Sequence, residues 1–235
     1  MDKALLVGIN KYKNAPLNGC VNDVSDMANL LVDRYGFKPE NVSILVDERA
    51  TKKRIIKRLK WLTQSNVGDR CLFHFSGHGT QYPTRNYRHE VDGLLEVICP
   101  YNFEWRADNM ITDKELVKIF KKMPRGVKFN WIADCCHSGD LTRGINEHQQ
   151  MPRMHPVPVD IAWRQRCILE SKEKMESESR AIINGELTVG FISGCKSNQT
   201  SADARISGRP CGAFTHFLIR ALNKYSKKTP INKIA

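Results

Sequence analysis

Two reactive side chains, each just past the end of a short apolar run, stand out from this chain. A thiol lies in Asp134-Cys135-Cys136-His137-Ser138-Gly139 and an imidazole in Ser76-Gly77-His78-Gly79. A thiol next to an imidazole is a nucleophile and its base, and the chemistry open to such a pair is acyl transfer through a thioester. The runs before them, 70–75 and 127–133, are β-rich and bounded by glycine, so both predict buried strands. In an open α/β sheet, reactive groups collect beyond the carboxyl ends of the strands. Side chains alternate along a strand, so Cys135 and Cys136 face opposite ways and only one of them can meet His78. Asp, His, Ser and Gly around Cys136 are poor core residues, which favours a chemical role there over simple packing. His74 lies inside the earlier run and reads as a packing residue.

Two acids accompany the pair. Asp134 precedes the cysteines, and Asp23 follows Leu17-Asn18-Gly19-Cys20-Val21-Asn22 after the first strand. A carboxylate beside the thiol would raise its pKa and weaken the nucleophile. Facing a separate pocket, two carboxylates would instead receive Arg or Lys. For Asp23 a helix N-terminus, where an acid is favoured by the dipole, is the competing assignment. His74, His78, Cys135, Cys136 and His137 also raise a zinc site. Three adjacent residues cannot easily supply three ligands to one tetrahedral centre, and no C-x₂-C pair occurs, so no metal is assigned.

The elements needed to position these groups are legible as alternating patterns. Strand signals fall at 4–9, 42–46, 70–75, 127–133 and 188–193. Helical periodicity falls at 22–35, closed by Gly36; at 51–64, with Thr51 as N-cap; at 112–122, opened by the capping-box sequence Thr112-Asp113-Lys114-Glu115; and at 211–225, with Phe214, Phe217, Leu218 and Leu222 directed inward. Strand–helix alternation predicts a mostly parallel sheet covered on both faces. Residues 141–186 break the rhythm. They are long, polar and proline-bearing, which marks a functional or disordered connection.

The 235 residues are 41% hydrophobic, enough for a substantial core. No run approaches the ~18 apolar residues of a membrane span, and Met1-Asp2-Lys3 leads straight into a strand rather than a signal peptide. Eight cysteines, mostly in apolar runs, read as free thiols in a reducing, cytoplasmic setting. The formal charge of +12 raises nucleic acid as a partner. Its densest part, from Lys52 to Lys60, interleaves with Ile55, Ile56, Leu59 and Leu62 at helical spacing. That is an amphipathic helix with a solvated basic face, and no nucleic-acid-binding motif supports more.

The motifs together resemble the metacaspases and their prokaryotic relatives, the orthocaspases, in the caspase-like clan of cysteine peptidases. The resemblance is carried by Ala4-Leu5-Leu6-Val7-Gly8-Ile9-Asn10, by 17–23, by His74-Phe75-Ser76-Gly77-His78-Gly79-Thr80-Gln81, by 134–139, by Ser193-Gly194-Cys195, by Gln199-Thr200-Ser201-Ala202 and by Gly212-Ala213-Phe214-Thr215. It implies one caspase-like three-layer α/β domain: a p20-like catalytic part (1–140), a linker open to self-processing (141–186) and a shortened p10-like part (187–235). It implies His78 as base, Cys136 as nucleophile, an oxyanion hole from the N–H groups of Gly79 and Cys136, and an S1 pocket from Cys20, Asp23, Ser76 and Asp134. The substrates would be peptides or proteins cut after Arg or Lys by a monomer without membrane, nucleic-acid or cofactor partners. Leu95, Lys114 and Arg143 stand where calcium-dependent relatives carry acids, which implies calcium independence, and Asn102 replaces a usual Asp. Among the linker's basic residues, Arg153, Arg164, Arg166, Lys172, Lys174 and Arg180, the stretch from Arg164 to Arg180 is the expected place of self-cleavage. The alternative is a catalytically weak regulatory or scaffold homologue.

Overall fold

The computed structural model describes residues 1–84, 93–136, 151–172, 189–194 and 201–227. His137 to Gly139, Arg143, Lys174, Arg180 and Cys195 lie outside the described residues. The strands are β1 (Lys3–Gly8), β2 (Val42–Val46), β3 (Arg70–Ser76), β4 (Gly79–Pro83), β5 (Leu94–Ile98), β6 (Ile111–Thr112), β7 (Lys128–Asp134), β8 (Met151–Pro152), β9 (Val189–Ser193), β10 (Ala202–Ile206) and β11 (Arg209–Gly212). The helices are α1 (Cys20–Asn29), α2 (Lys52–Leu62), α3 (Asp113–Phe120), α4 (Val159–Lys172) and α5 (Ala213–Lys224).

Five strands form a parallel sheet in the order β2-β1-β3-β7-β9. Their bounds agree with the sequence expectation to within a residue at each end. β1 is buried along its whole length, as a strand covered on both faces must be. Its alternate residues feed two cores. Leu5 and Val7 join Ile55, Leu59, Phe73, Phe75, Phe120 and Phe129 on the face of α2 and α3. Ala4 and Leu6 join Val24, Met27, Leu218 and Leu222 on the face of α1 and α5. Gly8, Ser76 and Asp134 are in register at the carboxyl edge, so whatever follows β3 and β7 emerges side by side.

Two small antiparallel sheets flank that edge, β4-β5-β6 and β11-β10-β8. Neither was expected from the sequence. The chain from 151 to 155 threads between them. Met151 and Pro152 pair antiparallel with Asp203 and Ala202 of β10, and Met154 bridges Gly79 in parallel. The connection is therefore not structureless over its described residues, because it also carries α4.

Other details differ from expectation for local reasons. The first helix loosens after Asn29 into a wider turn over Leu30–Arg34 before Gly36 ends it at φ +72°, where only glycine is unstrained. Thr51 occupies the N-cap position of α2, but its side chain makes no cap bond. Asn102 Oδ1 accepts from Lys52 N instead, at 3.0 Å, which gives the unusual Asn102 a structural role. Thr112 caps α3 as expected, accepting from Glu115 N at 3.2 Å. Residues 209–212 form β11, so the last helix begins only at Ala213. Phe217 is not inward. It is 56% exposed, because Phe214, Leu218 and Leu222 set the buried stripe and Phe217 lies well round the helix from it.

Candidate active site

The groups singled out at 76–79 and 134–136 are brought together at the carboxyl edge of β3 and β7. Gly77 N donates to Asp134 O at 3.3 Å across the two strand ends. The tyrosine hydroxyl of Tyr12 fastens the turn, accepting from His78 N at 3.0 Å and donating to Cys99 O at 2.8 Å. Cys135 points into the hydrophobic core and Cys136 away from it, as strand alternation requires. Both are fully buried.

His78 is 1% exposed, and burial pulls its pKa from 6.5 to about 4. The ring is therefore neutral at pH 7. Nε2 lies 2.7 Å from Ala15 O. A carbonyl can only accept, so Nε2 carries the proton and Nδ1 holds the lone pair. Nδ1 is buried with no hydrogen-bond partner among the described residues. The Cys136 sulfur sits against the Ser201 backbone, accepting from Ser201 N and lying 3.4 Å from Ser201 O.

Beside this pair is a fully buried arginine. Arg153, 0% exposed, spans the space between β3, β7, α1 and β10. Its Nη2 is 2.8 Å from Asp23 Oδ2 and 3.0 Å from Asp203 Oδ1; its Nη1 is 3.1 Å from Asp134 Oδ2 and 2.7 Å from Ser76 Oγ. Burial opposes the charge, but Cys20, Asp134, Asp23 and Asp203 together hold the guanidinium pKa well above its ordinary value. Burial also drives the Asp23 carboxyl up, Arg153 pulls it down, and Asp134 pushes it up again, with a net rise. Burial pushes the Cys20 thiol up to about 12, so it stands beside the guanidinium as a neutral group.

Each acid is braced from outside. Asp23 accepts from Gly212 N at 2.8 Å. Asp134 accepts from Thr215 N at 3.0 Å, from Thr215 Oγ1 at 2.6 Å and from Ser201 Oγ. Asp203 accepts from Asn18 N at 2.8 Å and Gly19 N at 2.9 Å. Gly212 forms a wall. A methyl group there would run into Asp134, Arg153 and Asp23.

The arginine's backbone is as closely held as its side chain. Arg153 O accepts from Gly79 N at 3.0 Å and from Cys136 N at 3.1 Å, while Arg153 N donates to Ser201 O at 3.0 Å. Downstream, His155 N donates to Gly79 O at 3.0 Å. An extended segment is thus seated as an added strand, with one carbonyl polarised by two N–H groups next to the thiol.

The sequence expectation named Cys20, Asp23, Ser76 and Asp134, and the structure places all four around the Arg153 guanidinium. It missed Asp203, which follows the Ser201-Ala202 motif by one residue, and Ser201 and Thr215, which hold Asp134. It placed Arg153 among six basic residues without distinguishing it. The signal was present in Pro152-Arg153-Met154-His155-Pro156, where prolines on both sides enforce an extended chain. Arg164 and Arg166, in the favoured stretch, belong to α4. A helix has its backbone groups committed and cannot enter a cleft as a strand. Of the positions linked to calcium, Leu95 pairs with Tyr82 in the β4–β5 ladder and Lys114 is exposed on α3. Among the described residues no group of three or more His, Cys, Asp or Glu is placed to hold a metal ion. Among the described residues no helix is long and apolar enough to cross a membrane.

Residues 2–143 match the family model for the metacaspase peptidase C14 domain. Metacaspase-1 of Arabidopsis thaliana is 32% identical over 97% of this chain and 60% of its own length. Metacaspase-1 of Schizosaccharomyces pombe is 32% identical over 91% of this chain and 58% of its own. The chain thus spans about 60% of the length of these curated relatives. A crystal structure of a Geobacter sulfurreducens protein superposes with a TM-score of 0.71 at 26% identity, covering 99% of this chain and 86% of that one.

Proposed function

This chain belongs to the metacaspases, and we propose that it is a cysteine endopeptidase that cuts after Arg or Lys, beginning with its own Arg153–Met154 bond. The observation that carries the proposal is Arg153 itself. Its guanidinium rests on three buried carboxylates, and its carbonyl oxygen accepts from Gly79 N and Cys136 N. No other basic residue of the connection combines both contacts among the described residues.

The chemistry follows from the groups in place. His78 Nδ1 takes the Cys136 proton. The thiolate adds to the Arg153 carbonyl carbon, and the oxygen's new charge is met by the Gly79 and Cys136 N–H groups. Collapse breaks the C–N bond, and His78 returns the proton to the Met154 amine. Water, deprotonated by His78, then attacks the thioester, releasing the Arg153 carboxylate and the free thiol. Once the cut segment leaves, the acidic pocket is open to a substrate's Arg or Lys. Until then Arg153 blocks it, so the uncut chain is self-inhibited.

Calcium has no part in this reading, because Leu95, Lys114 and Arg143 cannot ligate a hard cation as acids would. The test is hydrolysis of reporter peptides ending in Arg, Lys or Asp, by the wild type and by Cys136→Ala, after prolonged incubation. Release from the Arg and Lys peptides by the wild type alone is expected. Equal release from the Asp peptide would contradict the proposed specificity, and no release from any peptide would favour a regulatory homologue.

A further inference from the structure

His155, two residues beyond the Arg153 carbonyl, is 8% exposed and enclosed by rings. Its centroid lies 4.8 Å from Phe103, 6.0 Å from Trp105, 5.7 Å from His78 and 6.3 Å from Tyr12, mostly edge to face. Phe103 and Trp105 are themselves packed 5.3 Å apart on the loop between β5 and β6. The backbone is fixed at the same residue by the bond from His155 N to Gly79 O. The imidazole Nδ1 lies 3.1 Å from the adjacent Pro156 O. Burial lowers its pKa, which suits a neutral ring among aromatics.

Edge-to-face ring pairs stabilise beyond the area they bury. A flat side chain at this position therefore gains from several partners at once, and an aliphatic or acidic one does not. Gly79 couples this cup to the reacting carbonyl. Its N–H holds the Arg153 oxygen and its carbonyl holds His155 N, so a residue anchored in the cup sets the carbonyl against the oxyanion donors.

We propose that Tyr12, Phe103 and Trp105, with the His78 ring, form a specificity subsite for a ring side chain (His, Phe, Tyr or Trp) two residues after the cleaved bond. The inference rests on the reading of Arg153–Met154 as the bond that is cut. It extends that reading from the residue before the bond to the residues after it.

The experiment uses the full chain and two readouts. In the active protein, self-cleavage after Arg153 is followed by mass for wild type, His155→Phe, His155→Ala and Trp105→Leu. His155→Phe should stay within about twofold of wild type, and the other two should slow about tenfold. In the Cys136→Ala background the same substitutions are read by the rate at which added trypsin cuts after Arg153, which requires the segment to leave its groove. Here His155→Ala and Trp105→Leu should speed the cut about tenfold, while His155→Phe leaves it unchanged and cuts elsewhere keep their rates. Equal rates across the set in the trypsin readout would overturn the subsite. Absence of self-cleavage in every protein would count against the peptidase reading, and the trypsin rates would still decide whether the cup holds a ring.

Discussion

Cys136 and its neighbour Cys135 test the site at the level of single atoms. Cys136→Ala should abolish turnover, whereas Cys135→Ala removes only a buried core sulfur and should keep activity while losing about 1 kcal/mol of stability. Retained turnover in the first variant would move the nucleophile elsewhere. Asp203 was invisible in the sequence because a single acid after a small-residue motif has no spacing signature; only the fold brings it to Arg153 from 50 residues away. Asp203→Asn should weaken kcat/KM on Arg-ended peptides by about 2–5 kcal/mol, through loss of a buried charge-assisted partner. Unchanged kcat/KM would remove it from the pocket's function. The two buried histidines should contribute to acid sensitivity. His74 and His78 are each pulled from 6.5 to about 4 by burial. Between those values the unfolded chain binds protons that the folded chain refuses, so the stabilisation is complete above about pH 6.5 and is lost as pH falls towards 4. Such a shift corresponds to about 3 kcal/mol per residue. Urea titrations at pH 7, 5.5 and 4.5 should show a shallower pH dependence for His74→Gln than for wild type. Parallel pH dependences would contradict it.

At the scale of elements, the 151–155 segment behaves as a bound peptide. Arg153→Ala should leave Asp23, Asp134 and Asp203 without their cation and release the segment, because breaking a buried ion cluster on one side costs more than the strand pairing returns. Benzamidine, a small planar cation, should then bind Cys136→Ala/Arg153→Ala by calorimetry and not Cys136→Ala alone. Binding to both, or to neither, would mean that the cavity is not held by Arg153. The same segment shows where sequence reading reaches its limit. β1, β3 and β7 are legible because each must be apolar on both faces, and that pattern is local. β8 is two residues long, exposed, and contains a proline; its strand character comes entirely from pairing with β10. The flanking sheets were missed for the same reason, since β4 and β11 mix glycine, proline and polar residues. The chemistry at 76–79 and 134–136 was readable because it sits at the ends of the legible strands.

For the molecule as a whole, one chain carries an acidic cleft and a basic segment folded into it, under a net charge of +12. The charge is spread over solvated faces such as the Lys53, Arg54, Lys57 and Lys60 side of α2, while the site is built from buried acids. Activity after self-cleavage should survive chelation by EGTA, and a large loss restored by millimolar calcium would show that acids elsewhere bind the ion. On the proposed function, the first substrate of this chain is the chain itself, at the Arg153–Met154 bond. Intact-mass analysis of wild type and Cys136→Ala after incubation tests it most directly. A wild-type fragment ending at Arg153 and another beginning at Met154 are expected, with Cys136→Ala remaining whole. An uncut wild type, a first cut after Arg164 or any later residue, or the same fragments from Cys136→Ala would contradict it.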